Sequence, residues 1–111
     1  MNALTKTFQG HEIRIVNRDG EARVVGTDLA NVLGYSNSRN MYNLAREEWR
    51  DTAHVDTSTG RKEVVAIAEP GVYQILGRTT KDAAEDFQVW LYEEVLPEIR
   101  RTGAYVANAS G

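Results

Sequence analysis

Apolar and polar residues alternate between Thr5 and Val25, and the dipeptide Asp19-Gly20 interrupts this alternation. A period of two is typical of strands that bury one face. Asp-Gly favours the positive φ angles of a tight type I′ turn, which joins antiparallel strands. The segment therefore predicts a hairpin with Arg14, Arg18 and Arg23 on its outer face, where they either contact phosphate or only solubilise the strands.

The rest of the chain predicts short helices and a second hairpin. An earlier strand over Leu4–Phe8 turns at Gln9-Gly10, and Asp51–Ala68 forms the second strand pair. The expected helices span Thr27–Gly34, about Ser38–Trp49, Glu69–Gly77, Thr80 to the helix-breaking Pro97, and a last turn over Glu98–Thr102. We expect an α+β fold in which antiparallel β-hairpins pack with four to five short helices. Residues 1–105 would form one domain, followed by a flexible tail over 106–111.

Several function classes are disfavoured by the residues that the chain lacks. It has 111 residues and no cysteine, so thiolate chemistry and disulfides are excluded, and a reducing cytosol is the expected compartment. His11 and His54 stand far apart without a metal-ligand spacing, and Glu47, Glu48 and Asp51 fit a solvated helix end better than an acid-base pair. No apolar run is long enough to span a bilayer. We expect no enzymatic activity, no cofactor, no metal and no membrane partner.

Charge is unevenly distributed along the chain. The net charge is -3, yet residues 1–50 carry seven basic and six acidic groups, and the remainder carries six and ten. Arginine outnumbers lysine ten to three, which suits bidentate contacts to phosphate or guanine. The segment from Asp82 to Glu98 has six acidic residues and no basic one, so we expect it to face away from nucleic acid.

The segment Asp28–Leu44 has part of a helix-turn-helix pattern, because Ala30 and Gly34 are four residues apart with apolar neighbours around the turn. The usual apolar position after the turn is occupied by Asn40, and Met41 follows one position late. DNA readout and a merely amphipathic helix pair therefore stay open as alternatives. The candidates for base readout on the second helix are Asn37, Arg39, Asn40, Asn43 and Arg46. The candidates for phosphate contacts are Arg14, Arg23, Arg61, Lys62, Arg78 and Lys81.

Four segments together resemble the N-terminal domain of the Bro family, which is named for baculovirus repeated open reading frames and is common in phage antirepressors. They are Phe8–Arg14, Asp28–Asn37, Ala68–Tyr73 and the stretch from Phe87 to Tyr105. The resemblance implies a DNA-binding domain of a phage or prophage transcriptional regulator, acting on double-stranded DNA in the cytosol or nucleoid of the host. A second copy of the chain, in a homodimer, is a further candidate partner. The alternative is an antirepressor module that binds a repressor or another protein, with Asp82–Glu98 as the contact surface.

Overall fold

Five antiparallel strands form one sheet in the computed structural model, which describes residues 3–18 and 21–98. The strands are β1 (Ala3–Phe8), β2 (His11–Arg18), β3 (Glu21–Val25), β4 (Arg50–Thr57) and β5 (Gly60–Ala68). Their order across the sheet is β1-β2-β3-β5-β4. The second hairpin therefore joins the first through β5, which leaves β1 and β4 at the two edges.

The first hairpin has the register that a two-residue turn at Asp19-Gly20 predicts, in which Arg18 faces Glu21. Ile15 pairs with Val24, Val16 with Arg23, and Arg18 with Glu21. Asp19-Gly20 itself lies outside the described residues, as do the side chain of Arg18, the predicted last turn beyond Glu98 and the predicted tail over 106–111. The turn at Gln9-Gly10 between β1 and β2 is also confirmed, with φ angles of 49° and 83°.

Four helices complete the predicted α+β fold. They are α1 (Gly26–Leu33), α2 (Ser38–Tyr42), α3 (Glu69–Arg78) and α4 (Ala83–Trp90), with a 3-10 turn over Glu47–Trp49 and a π-helical turn over Leu91–Val95. α4 begins after Asp82 and not at Thr80, because the preceding linker is held by a bond from the Lys81 N–H to the Thr79 hydroxyl.

The second predicted helix is much shorter than expected, because α2 ends at Tyr42 and not at Trp49. Its serine and asparagines are weak helix formers. Beyond it, Arg46 has an extended backbone with φ -60° and ψ 144°, and its N–H donates to the side-chain oxygen of Gln74 at 2.7 Å. This contact with α3 stabilises the extended conformation. The structure therefore does not confirm a helix-turn-helix-like pair.

The sequence predicted that the last helix ends at Pro97, but the helix continues past this residue. α4 continues through the π-helical turn, and residues 96–98 are again helical. The N–H of Leu96 donates to the carbonyl of Leu91, five residues earlier. A proline ring clashes with the carbonyl four positions before it in a regular α-helix. The wider π turn just before Pro97 relieves that clash.

The main core lies between the helices and one face of the sheet. Ile13, Ile15 and Ile67 from the strands pack in one cluster with Leu29 and Phe87 from the helices. Trp90 belongs to this cluster, and its ring centre lies 5.1 Å from that of Phe8 and 5.4 Å from that of Phe87. The opposite face of the sheet carries a smaller cluster, formed by Val16, Val25, Ala53, Val55 and Ala66.

Candidate nucleic-acid interface

The turn between α1 and α2 is fixed by local hydrogen bonds. Gly34 has a φ of 89°, and its N–H donates to the carbonyls of Ala30 and Asn31, while the N–H of Tyr35 donates to Ala30. A glycine in the left-handed region is the usual end of a helix. The side chain of Asn37 then accepts from the N–H of Arg39 at 2.9 Å and caps the start of α2.

The arginine and asparagine side chains of and around α2 are exposed, whereas Met41 on the opposite side is fully buried. This short helix presents one turn to solvent, and Arg39 and Asn40 lie on it. All five predicted base-readout residues are exposed, namely Asn37, Arg39, Asn40, Asn43 and Arg46. Only three of the predicted set lie within α2 or at its end, because Asn37 is the N-cap and Arg46 follows in extended chain.

Two cations from a distant part of the sequence lie next to α2. Nη1 of Arg78, the last residue of α3, donates to the carbonyl of Leu44 at 3.3 Å. Nζ of Lys81 lies 4.9 Å from the ring centre of Tyr35, and the hydroxyls of Tyr35 and Thr79 are hydrogen-bonded. The linker between α3 and α4 is therefore anchored on the α1–α2 turn. Sequence reasoning found the two cations but missed Tyr35 and Thr79, which position them.

We use the name α2 surface for the exposed residues that these contacts bring together, which are Arg39, Asn40, Asn43, Arg46, Arg78 and Lys81. It contains four cations. One of them is partly neutralised, because Nε of Arg46 lies 3.6 Å from a carboxylate oxygen of Glu48. The same guanidinium lies 5.4 Å from the ring centre of Trp49. The surface combines positive charge with amides that can both donate and accept hydrogen bonds.

Arg14 does not belong to the α2 surface. Its Nε and Nη2 donate to the two carboxylate oxygens of Asp28 at 2.8 and 3.0 Å, and its backbone N–H donates to Asp28 at 2.9 Å. This hydrogen bonding raises the pKa of Arg14 above its ordinary value. Asp28 is buried in the first turn of α1, just after the end of β3. Its carboxylate thereby serves as the hydrogen-bond acceptor for the backbone N–H of Arg14. Sequence reasoning assigned Asp28 to a helix start but did not find this pair.

The other phosphate candidates lie in different surroundings. The side chain of Arg23 is 16% exposed, and its Nη2 lies 3.5 Å from Glu21. Its Nε and Nη1 are buried and have no hydrogen-bond partner among the residues that the structure describes. Arg61 and Lys62 are exposed near the turn of the β4–β5 hairpin. Arg61 pairs across the strands with Asp56, and Glu63 follows, so acidic groups offset the positive charge of this hairpin.

Over residues 3–18 and 21–98, no three acidic or histidine side chains are grouped so that they could hold a metal ion. None of the helices in these ranges has the length and apolar character needed to cross a membrane.

Comparison with known proteins gives a family for this fold. Residues 12–97 match the family model described as BRO family, N-terminal domain. An uncharacterized protein of Haemophilus influenzae is 34% identical over 103 residues, which cover 91% of this chain and 51% of that protein. A Bro-N domain-containing protein of Invertebrate iridescent virus 3, named 019R, is 23% identical over 120 residues, which cover 87% of this chain and 30% of that protein.

The chain spans about half the length of the Haemophilus relative and about a third of the viral one. No solved structure gives a significant match. The family model covers most of the chain, including the strands from β2 onward and all four helices. The chain therefore belongs to the BRO family and matches the domain that the family model describes.

Proposed function

We propose that this domain binds double-stranded DNA through the α2 surface, as the DNA-binding part of a phage or prophage type of regulatory protein. The observation that carries the proposal is the convergence of four cations and two exposed asparagines around one short helix. These residues come from α2, from the chain after it, from the end of α3 and from the linker between α3 and α4. The tertiary contacts of Arg78 and Lys81 support the proposal because they bring distant charges to the same place.

The residues divide by the contact that each could make. Arginine pairs bidentately with guanine and asparagine with adenine in the major groove, so Arg39, Asn40 and Asn43 are the proposed base readers. Arg78 and Lys81 flank the helix and would contact phosphates, which fix the position of the protein on the duplex. Arg46 is partly neutralised by Glu48, and we assign it, like Arg78 and Lys81, to the residues that would contact phosphates.

The charge distribution gives the bound domain an orientation. Glu85, Asp86, Glu93 and Glu94 are exposed along α4 and the π-helical turn. A duplex would be repelled from these carboxylates and attracted to the α2 surface. The overall charge of -3 is therefore compatible with DNA binding, since the local charges at the contact decide counterion release.

A salt titration on a duplex of random sequence tests this proposal. Arg78→Gln combined with Lys81→Gln should weaken binding and lower the slope of log K against log salt by about two. The matched control is Arg61→Gln combined with Lys62→Gln, which removes the same charge from the hairpin and should leave the slope unchanged. Glutamine keeps a polar side chain of similar length, and a melting curve for each variant checks the fold.

Two results would contradict the proposal. Equal effects of the two double variants would show that only overall charge matters. If the domain does not bind DNA, or if its DNA affinity does not depend on the salt concentration, the antirepressor alternative remains, in which the domain acts by contacting a protein.

A further inference from the structure

Two large apolar side chains are strongly exposed in the described part of the chain, and they lie close together. Val89 is 49% exposed near the end of α4, and Tyr92 is 50% exposed in the π-helical turn. Residues three apart in a helical segment lie on the same side. Single exposed apolar residues are ordinary on a protein surface. This pair is different because it continues into a groove.

The groove begins where Tyr92 meets α3. The rings of Tyr92 and Tyr73 are stacked, with their centres 5.4 Å apart and their planes 6° from parallel. Tyr73 lines a groove of about 370 Å³ together with Glu21, Ala22, Glu69 and Pro70. Its hydroxyl donates to a carboxylate oxygen of Glu69 at 2.8 Å, and burial raises the pKa of Tyr73. One wall is therefore aromatic and held in place.

Carboxylates surround this apolar surface. Glu21 and Glu69 line the groove itself, and Glu93 and Glu94 are exposed beside Tyr92. Two cations near these carboxylates are already engaged among the described residues: Nη2 of Arg23 lies 3.5 Å from Glu21 and its side chain is largely buried, and Lys6 is paired with Glu98. We call Val89, Tyr92, Tyr73 and the groove residues the acidic groove.

We propose that the acidic groove docks a basic amphipathic segment of a protein partner. An aliphatic or aromatic side chain of the partner would cover Tyr92 and Val89, and lysine or arginine residues would lie near Glu21 and Glu93. Complementary charge is the reason for this choice, since like charge repels phosphate-rich partners such as DNA or anionic lipid. This site is separate from the α2 surface, so the domain can hold DNA and a protein at the same time.

The test uses the full chain and a synthetic helical peptide with lysines on one face and leucines on the other, labelled for fluorescence anisotropy. Val89→Ser combined with Tyr92→Ser should weaken binding of this peptide by about tenfold or more, because exposed aromatic anchors contribute most of the energy of such contacts. Glu93→Lys should weaken it too, whereas Glu63→Lys on the hairpin makes the same charge change and should not. DNA binding by the Val89/Tyr92 variant should stay at the wild-type level, which separates this test from that of the α2 surface.

Three results would overturn the proposal. The first is an unchanged peptide affinity of the variant with Val89→Ser and Tyr92→Ser, or an equal loss of peptide affinity in the Glu63→Lys and Glu93→Lys variants. Another is a concentration-dependent dimer in sedimentation that the Val89/Tyr92 variant abolishes, since a second copy would then occupy the groove. The third is tighter peptide binding after Arg100→Glu combined with Arg101→Glu, since the chain's own terminal segment would then be the occupant.

Discussion

The Arg14–Asp28 pair shows how a single side chain can replace part of a β-sheet. Asp28 accepts three hydrogen bonds from Arg14, including one from its backbone N–H. The pairing of β2 with β3 ends at Ile15 and Val24, and the chain enters α1 after Val25. The carboxylate thus connects β2 to the first turn of α1, and α1 leads directly into the α2 surface.

We expect Asp28→Ala to lower the free energy of unfolding by about 2 to 3 kcal/mol, because it removes a charged acceptor and leaves three donors of a partly buried arginine unsatisfied. Urea denaturation measures this change. Asp56→Ala, which removes an exposed aspartate from the β4–β5 hairpin, is the control and should change stability by less than about 0.5 kcal/mol. Similar losses in both variants would show that the pair has no special role.

Base readout by α2 is a separate prediction at this scale. On a duplex selected for tight binding, we expect Arg39→Ala and Asn43→Ala each to cost about 1 to 3 kcal/mol of binding free energy, with a much smaller loss on random duplex. Arg39→Lys should not restore discrimination, because lysine lacks the planar fork that fits guanine. Competition binding with the two duplexes measures the difference. Equal losses on both would assign these residues to phosphate contacts.

The close packing of α1 against α2 depends on Gly26, the first residue of α1. A Cβ atom at this position would lie 2.6 Å from Cε1 of Tyr42 and 2.7 Å from its hydroxyl oxygen. We expect Gly26→Ala to displace the ring and to cost about 1 to 3 kcal/mol of stability. The cost should largely disappear in a Tyr42→Ala background, and a double-mutant cycle measured by denaturation shows whether it does. A cost that persists without the ring would contradict this account.

The packing of α4 gives a further prediction for a whole element. Trp90 is buried against Phe8 and Phe87. We expect Trp90→Ala to cost about 3 to 5 kcal/mol, as large-to-small changes in a core do. Val89→Ala removes an exposed neighbour on the same helix and should be nearly neutral. Thermal melting of the two variants tests this, and a wild-type melting curve for Trp90→Ala would show that the core does not depend on the ring.

Elements with local signals could be predicted, and those that depend on distant partners could not. The first hairpin follows from alternation and a turn dipeptide, and its register is confirmed down to the Arg18–Glu21 pair. The length of α2 depends instead on Gln74, which lies 28 residues from Arg46 along the chain. The insertion of β5 between β3 and β4 is likewise a tertiary arrangement without a local signal. For the candidate site, residue types gave the cations, but only contacts between elements show that Arg78 and Lys81 lie beside α2.

At the scale of the whole molecule, Glu93 and Glu94 lie farther from the start of α4 than the screening length at physiological salt. Lys81 precedes α4, and Glu93 and Glu94 follow it. A helical rise of about 1.5 Å per residue places Glu93 about 15 Å beyond the start of α4, on a domain with extents of 40 × 32 × 29 Å. The Debye length is about 8 Å at physiological ionic strength and about 30 Å at 0.01 M salt. Glu93 and Glu94 should therefore influence DNA at the α2 surface only in dilute salt.

Glu93→Gln combined with Glu94→Gln tests this separation. Two unit charges 15 Å apart in water interact with about 0.3 kcal/mol, so removing both carboxylates should strengthen binding of random duplex by about 0.6 kcal/mol, or about threefold, at 0.01 M salt. At physiological salt the affinity should match that of the wild type, because the interaction is screened. Anisotropy titrations at both salt concentrations measure the two values. A gain of equal size in both would mean that DNA contacts the acidic residues directly, and the proposed orientation on the duplex would then be wrong.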